Sequence, residues 1–454
     1  MPGIIGPIES YPLPEGGMAP LYVLKFDKDG ICTTPRSRAR LLQEIEAGQY
    51  TDVYLFSHGW NNTPKNAIKH YKTWVKGFTE LRESLDINIG RPYRPVLIGV
   101  VWPSVWIVPW WNRGPNIAAS PSEDGSDESA DAYDAMLRAL AAELPANHRA
   151  QFYAYAQEDA LDDQASIDLL QLLQPVFGQA DDELNEPSPS TDVLLESWGA
   201  VDALIAGDAD EFVPIDFDTP VGTDTQDTST EAEAPQAAGG IARAPLSLIR
   251  MASVWQMKDR AGRVGSGEIS ALLQAVQSAS TADTIRTHLV GHSFGAKVML
   301  SALTARPLAR PIDSMLLLQP AINHWAFAEH IPDIDRAGGY HPALDRVRQP
   351  ILTTFTRKDA PLHKFFHLAL RRKVDYGELR IASRDVSPYA ALGGYGPTGA
   401  PHSSEVPIAA PGSAYRFGSD DEIIALEAHE EIEGHSDINK PVTYWALLEL
   451  VRQS

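Results

Sequence analysis

Short, continuously apolar segments alternate with amphipathic segments along much of this 454-residue chain. The apolar segments have the length of strands and lie at 21–27, 52–60, 95–103, 284–291, 314–320, 350–356 and 422–429. Between them, apolar residues recur at helical intervals, as at 37–49 and 64–85. Strands that are apolar on both faces must be covered on both faces, which is typical of a mostly parallel sheet flanked by helices. The sequence therefore predicts an α/β fold.

The alternation is interrupted from about 104 to 245, where helix candidates replace strands. Between Ser122 and Gly240 there are 28 acidic residues and two basic ones, a net charge of −26; the remainder has 36 basic and 32 acidic residues, a net charge of +4. We therefore predict a core formed by 1–103 and 246–454, with an acidic, mainly helical insertion at 104–245. Within it, the polar stretch 216–240 is expected to be disordered or a mobile loop.

Charge and cysteine content narrow the classes of partner and compartment. The acidic segment argues against nucleic acid, which needs a basic surface, and makes a protein partner for the insertion conceivable. Cys32 is the single cysteine, so no intrachain disulfide can form. The N-terminal residues lack the pattern of a signal peptide, and no apolar run has the length to span a bilayer. We expect a cytoplasmic protein without a transmembrane segment, although export without a leader stays open.

One short motif offers a nucleophile. Gly291-His292-Ser293-Phe294-Gly295 lies between the apolar run 284–291 and a helix-like run from Phe294 to about Ala305. A sharp turn between strand and helix would lift the Ser293 hydroxyl clear of the backbone, and flanking glycines would leave room for it. The alternative is that Ser293 is only the small residue that a crowded turn needs.

A serine needs a base, and the base needs an acid to orient it. His435 lies between the last strand candidate and the last helix candidate, whereas its rival, His429, falls at the end of the strand itself. Asp359 follows the strand candidate 350–356, and its alternative role is to cap the helix that begins near Pro361. Where a nucleophilic serine lies on a turn from strand to helix, the acid and then the histidine follow it along the chain, and Ser293, Asp359 and His435 have this order.

An oxyanion hole needs two backbone N–H donors. Phe294, directly after the serine, is one candidate. The other is expected in "FSHGWNNTP" at 56–64, where Gly59 would let the backbone approach the site. The N–H of Trp60 is favoured there over that of Gly59.

Four side chains are expected near bound substrate, namely those of His58, His292, Trp102 and Trp106. The two tryptophans belong to "WPSVWIVPWW" at 102–111, which either forms a wall for an acyl chain or packs the insertion onto the sheet. The alternative for His58-Gly59 is a turn with a capping histidine. No His, Cys or carboxylate cluster has metal-ligand spacing, so no metal or other cofactor is expected.

Together, "FSHGW", "LVGHSFG", "TRKDAPL" and "EGHSDI" resemble the α/β-hydrolase superfamily, of the serine esterase and lipase type. The resemblance covers about 20–104 and 246–454. It implies a serine hydrolase that cleaves a carboxylic ester, with lipid-like acyl chains allowed by the tryptophans. In that superfamily a lid more often follows the strand after the nucleophile, so the sequence leaves open whether 104–245 covers the site.

Two alternatives to an esterase remain at this stage. A non-catalytic protein of the same fold would use the acidic insertion to bind a partner. An amidase or peptidase would use the same three residues on a different acyl substrate.

Overall fold

The computed structural model describes residues 5–60, 62–104, 126–178, 183, 188–207, 243–279, 285–332, 336–371, 386–415, 417–418 and 420–454. Within them, a sheet of nine strands forms in the order β1-β2-β4-β3-β5-β6-β7-β9-β8. The strands are β1 Glu9–Pro12, β2 Met18–Lys25, β3 Asp52–Ser57, β4 Pro95–Val101, β5 Arg286–His292, β6 Ser314–Leu318, β7 Ile351–Phe355, β8 Ser403–Pro407 and β9 Ile423–Glu427. Only β1 is antiparallel to its neighbour.

Helices cover both faces of this sheet. The described helices are α1 Pro35–Glu46, α2 Pro64–Ser84, α3 Ser126–Glu143, α4 Arg149–Ala156, α5 Asp163–Phe177, α6 Thr191–Gly207, α7 Pro245–Val264, α8 Ser270–Ala279, α9 Phe294–Thr304, α10 Phe366–Ala369, α11 Leu392–Tyr395 and α12 Pro441–Gln453. Alternate residues of β5 belong to different cores: Leu289 packs in the core that holds α7 and α9, and Val290 in the core that holds α2 and α12. The predicted α/β class is confirmed.

Two helical segments of the chain are each divided in two. The segment 150–177 is two helices, because the Asp162 side chain accepts a hydrogen bond from the Ala165 N–H (2.8 Å) and starts α5 there. The segment 246–279 is also broken, by a π-helical turn at Gly265–Ile269. At Gly265 the helix lies so close to α9 that a Cβ would be 2.2 Å from the Val298 carbonyl oxygen.

The two strands at the edges of the sheet, β1 and β8, were missed by the sequence analysis. Both are short and mostly exposed, so they lack the continuous apolar pattern that marks the central strands.

Helices α3 to α6 lie between β4 and β5 in the chain, within the predicted segment 104–245, and α5 and α6 pack against α7. Phe177 and Trp255 meet edge to face at 5.7 Å, and the Trp198 indole donates to the Ala244 carbonyl (2.8 Å). Since α9 and these helices both pack against α7, it is buried nearly all round. The stretch 216–240 lies outside the described residues.

Glu183 joins this segment to the helix that follows Ser293. Its fully buried carboxylate accepts hydrogen bonds from Lys297 (3.1 Å) on α9 and from the main chain of Asn323 (2.8 Å), and it forms an ion pair with Lys258 (3.3 Å) on α7. A carboxylate buried among cations is favourable only when it is well paired. Glu183 therefore fixes its own part of the chain against α7 and α9.

A second buried ionic network lies at the amino ends of the central strands. Asp52, at the start of β3, accepts two hydrogen bonds from Arg91 (2.8 and 2.9 Å) and one from His288 Nε2 (3.1 Å). His288 Nδ1 in turn lies 2.7 Å from the Ser314 hydroxyl. Burial alone would raise the pKa of Asp52, but the hydrogen bonds and charges of His288 and Arg91 outweigh it and lower that pKa below its usual value.

We expect Asp52→Asn to lower the free energy of unfolding by about 3–5 kcal/mol, because it leaves the largely buried Arg91 guanidinium without its carboxylate partner. Urea denaturation measures this change. Because the lowered pKa makes the ionised form stabilising above the unfolded-state pKa of about 3.9, the gap between wild type and variant should narrow below about pH 4.

Asp134→Asn is the matched control, since Asp134 pairs with Arg138 on the exposed surface of α3. It should change stability by less than about 0.5 kcal/mol. Equal effects of the two substitutions would contradict the role given to the buried network.

Candidate active site

The carboxyl ends of three parallel strands bring Ser293, Asp359 and His435 to one edge of the sheet. Ser293 directly follows β5, Asp359 follows β7 by four residues, and His435 lies in the loop between β9 and α12. Since β5, β6, β7 and β9 are successive neighbours in a parallel sheet, their carboxyl ends open at the same edge. This is the edge at which open α/β sheets bind ligands.

Ser293 occupies a strained backbone conformation between β5 and α9. Its φ of 56° and ψ of −128° lie in a region that residues with side chains rarely adopt, and its N–H donates to the Leu318 carbonyl (3.0 Å). The glycines on either side make the turn possible. A Cβ on Gly291 would lie 2.5 Å from the Ala296 Cα, and one on Gly295 would lie 2.2 Å from the Ser57 carbonyl oxygen.

The three side chains form a continuous hydrogen-bonded chain. His435 Nε2 lies 2.7 Å from the Ser293 hydroxyl, and His435 Nδ1 lies 2.7 Å from Asp359 Oδ2. Because a carboxylate can only accept, Nδ1 carries the proton in this arrangement, and Nε2 is left to accept from the serine. Asp359 is fully buried, and Ser293 and His435 are nearly so.

Asp359 both caps a helical turn and contacts the histidine. Its Oδ1 accepts from the Leu362 N–H (3.1 Å), while Oδ2 faces His435. Asp359 therefore has both of the roles that the sequence offered as alternatives: it caps the helical turn, and it contacts His435. Both oxygens are held, so the carboxylate has a fixed orientation.

The sequence analysis missed Gln319, which contacts the same carboxylate. Its amide Nε2 donates to Asp359 Oδ2 (3.3 Å), and its Oε1 accepts from the Thr354 hydroxyl (2.9 Å). Gln319 directly follows β6 and has a positive φ of 43°. Its position at the end of a central strand was the available signal, but a search for carboxylates passes over an amide.

The loop after β3 approaches Ser293 through Gly59. A Cβ on Gly59 would lie 2.5 Å from the Ser293 Cβ, so no larger residue fits without a shift of the loop. The Asn62 amide donates to the carbonyls of Trp60 (3.1 Å) and Gly59 (3.4 Å), and His58 Nδ1 also donates to the Gly59 carbonyl (2.7 Å). In a planar trans peptide the C=O and the N–H point in opposite directions. Because His58 and Asn62 hold the Gly59 carbonyl, the Trp60 N–H points away from those two side chains.

The other expected donor, the N–H of Phe294, is the first of α9 and has no partner within the helix. The Phe294 and Trp60 rings meet edge to face at 5.6 Å. The two proposed donors therefore belong to residues whose side chains are in contact. The N-terminal end of α9 adds a positive electrostatic potential beside the Ser293 hydroxyl.

His58 and Trp102 support this loop from behind. Their rings stack at 5.6 Å, the Trp102 main-chain N–H donates to His58 Nε2 (3.3 Å), and the Trp102 indole donates to the His58 carbonyl (3.1 Å). Burial lowers the pKa of His58 to about 4, so its imidazole is neutral at pH 7. Both side chains are almost completely buried, and these contacts hold the β3 loop against the end of β4.

His292 lies beside the histidine of the site. Its Nε2 is 2.8 Å from the main-chain carbonyl oxygen of His435, and the two rings are 5.1 Å apart. Burial, reinforced by the neighbouring His435, lowers the pKa of His292 well below its usual value.

Two other candidates from the sequence remain, His429 and Trp106. His429 lies after β9 with its ring edge to face against Phe355 at 5.5 Å, in contrast to His435, which contacts Ser293. Trp106 and the two later tryptophans of the cluster lie outside the described residues.

The described part of the chain contains neither a cluster of metal-ligating side chains nor a membrane-spanning helix. No group of three or more His, Cys, Asp or Glu residues there could hold a metal ion. Likewise, none of the described helices combines the length and apolar character needed to cross a membrane. Comparison with family models, curated proteins and solved structures found no match to this chain.

We expect Gly295→Ala to destabilise the fold by at least about 1–3 kcal/mol, because its Cβ would overlap the Ser57 carbonyl oxygen in the neighbouring β3. Thermal or urea unfolding provides the measurement. Gly199→Ala is the matched control. Gly199 lies inside α6 with open space around its Cα, so alanine there should stabilise by about 0.5–1 kcal/mol. The same sign for both variants would contradict the packing described at the turn.

Proposed function

We propose that this chain is a serine hydrolase of the α/β-hydrolase type that cleaves carboxylic esters through an acyl-enzyme. The observation that carries the proposal is the chain of two 2.7 Å contacts from the Ser293 hydroxyl through His435 to Asp359. The strained φ of Ser293 strengthens it, because strain persists at positions where function needs it. A small residue required only for packing needs neither a histidine partner nor a buried acid behind that histidine.

In the proposed reaction, the Ser293 oxygen bonds to the carbonyl carbon of the ester as its proton moves to His435 Nε2. The carbonyl oxygen gains the electron pair and becomes the oxyanion. Collapse of this intermediate breaks the bond to the alcohol oxygen, which takes the proton from His435. Water then repeats the sequence on the acyl-enzyme and releases the acid and free Ser293. Throughout, Asp359 holds His435 in one tautomer and stabilises its charged form.

The oxyanion is proposed to be held by the N–H groups of Phe294 and Trp60. The first lies at the start of α9, and the second is directed by the anchored carbonyl of Gly59. Donors fixed before the reaction need no reorganisation as charge develops, which is the source of their effect on rate.

An ester is the substrate class that we favour, and an amide or peptide bond is the alternative for the same three residues. Support for lipid-like chains is weaker, because Trp102 packs on His58 and is almost completely buried. The proposed core comprises 1–103 and 246–454, and the acidic segment 104–245 is proposed to be inserted between its strands. Proposed partners are thus a small ester and, for the acidic segment, a protein.

We expect a fluorophosphonate probe to label the wild-type protein at Ser293, with Ser293→Ala unlabelled. Because proton transfer and orientation both depend on the triad, His435→Ala and Asp359→Asn should reduce turnover of p-nitrophenyl esters by about 10³-fold or more. Peptide mapping locates the label, and initial rates measure turnover. Matched p-nitroanilides distinguish an ester preference from an amide preference.

Ser84→Ala, at the exposed end of α2, is the control and should label as wild type does. If the folded wild-type protein neither reacts with the probe nor cleaves any ester above background, the proposal is wrong. A non-catalytic binding protein would then be the better interpretation.

Asn62→Ala is expected to lower kcat by about 10–100-fold, because the amide that holds the Gly59 and Trp60 carbonyls is lost and the oxyanion donor is displaced. Steady-state kinetics on a p-nitrophenyl ester measures the change. Lys65→Ala, three residues along and exposed, should leave kcat unchanged. Wild-type kcat in Asn62→Ala would remove the support for Trp60 as a donor.

A further inference from the structure

His292 is placed by strand geometry on the side of β5 that leads to His435. Successive side chains of a strand point to opposite faces, so His292 shares the face of Val290. That face is covered by α2 and α12, and the loop before α12 carries His435. The residue next to the proposed nucleophile therefore reaches the loop that supplies the proposed base.

The contact between them has a defined direction. The His435 main-chain carbonyl can only accept, so His292 Nε2 carries a proton and donates across 2.8 Å. His292 Nδ1 is then the bare nitrogen. It lies 3.1 Å from where a Cβ on Gly59 would be, so the ring fills the space between the Gly59 loop and the His435 loop.

We propose that His292 is a positioning residue, which fixes the His435 main chain so that His435 Nε2 stays in line with the Ser293 hydroxyl. This inference rests on the proposed hydrolase function. The loop from Ala428 to Lys440 has no regular secondary structure, so His435 depends on such contacts for its position. A rigid buried ring that donates to the main chain restricts the loop without competing for Asp359.

The neutral state of His292 suits this role. In the proposed reaction His435 becomes an imidazolium with its ring centre 5.1 Å from that of His292. A second positive charge there would oppose the proton transfer. Burial disfavours that charge, so His292 remains a neutral donor while His435 gains and loses its proton.

The kinetic test compares two substitutions of His292. His292→Leu removes the donor, and we expect kcat for p-nitrophenyl butyrate to fall about 10–100-fold, with KM changed less than about threefold, because His435 is misplaced and not the substrate. His292→Gln keeps an N–H donor and should recover most of kcat. His148→Leu, before α4, is the control and should match wild type. Wild-type kcat in His292→Leu, or no recovery with Gln, would overturn the inference.

A second measurement does not depend on activity. In Ser293→Ala labelled with ¹⁵N-histidine, NMR should show His292 protonated at Nε2 and bare at Nδ1, and a downfield Nδ1 proton on His435 bonded to Asp359. Adding His292→Leu should broaden or shift that His435 signal, and His292→Gln should retain it. The opposite tautomer of His292 in the parent protein would overturn the inference even if the Leu variant does not fold. If the spectra are as expected but the wild-type protein hydrolyses no ester, only the proposed function is contradicted.

Discussion

The turn at Ser293 is the constraint on which the rest of the site depends. A positive φ at a residue with a side chain is unfavourable, and it is held here by β5 before it and α9 after it. Two glycines permit the close approach of β3 and of the helix to this turn. The same compactness brings Gly59 against Ser293, so the packing of this turn determines the position both of the proposed nucleophile and of the proposed oxyanion loop.

Around that turn, each polar contact orients another group. The Asp359 carboxylate is fixed by Leu362 and Gln319, and it fixes His435. His292 holds the main chain of His435. His58 and Asn62 hold the carbonyls of Gly59 and Trp60 in the proposed oxyanion loop. All of these hydrogen bonds except those of Asn62 are buried, and they are costly to lose because an unpaired polar group away from water is unfavourable. The arrangement thus has little freedom to relax.

The sequence predicted the features that depend on local patterns. Continuous apolar runs identified the central strands, and the glycines around Ser293 indicated its turn before any contact was known. His435 and Asp359 could be selected because chain order limits which loops meet at one edge of a parallel sheet. Gln319 and the tie from His292 to His435 could not be found this way, since both depend on side-chain direction across the sheet. The breaks near Asp162 and Gly265 likewise follow from a cap and a close helix contact, which helical periodicity does not record.

The alternation of side chains between the two faces of β5 explains why the contact from His292 to His435 occurs where it does. β5 places Leu289 in the core with α9 and Val290 in the core with α12. The next residue on the second face is His292, and the one after it in the chain is Ser293. The strand therefore ends by directing a donor to the loop before α12 and a hydroxyl to the histidine of that same loop. Because both come from adjacent residues at the end of β5, any displacement of that strand moves the proposed nucleophile and the support of its proposed base together, which preserves their relative geometry.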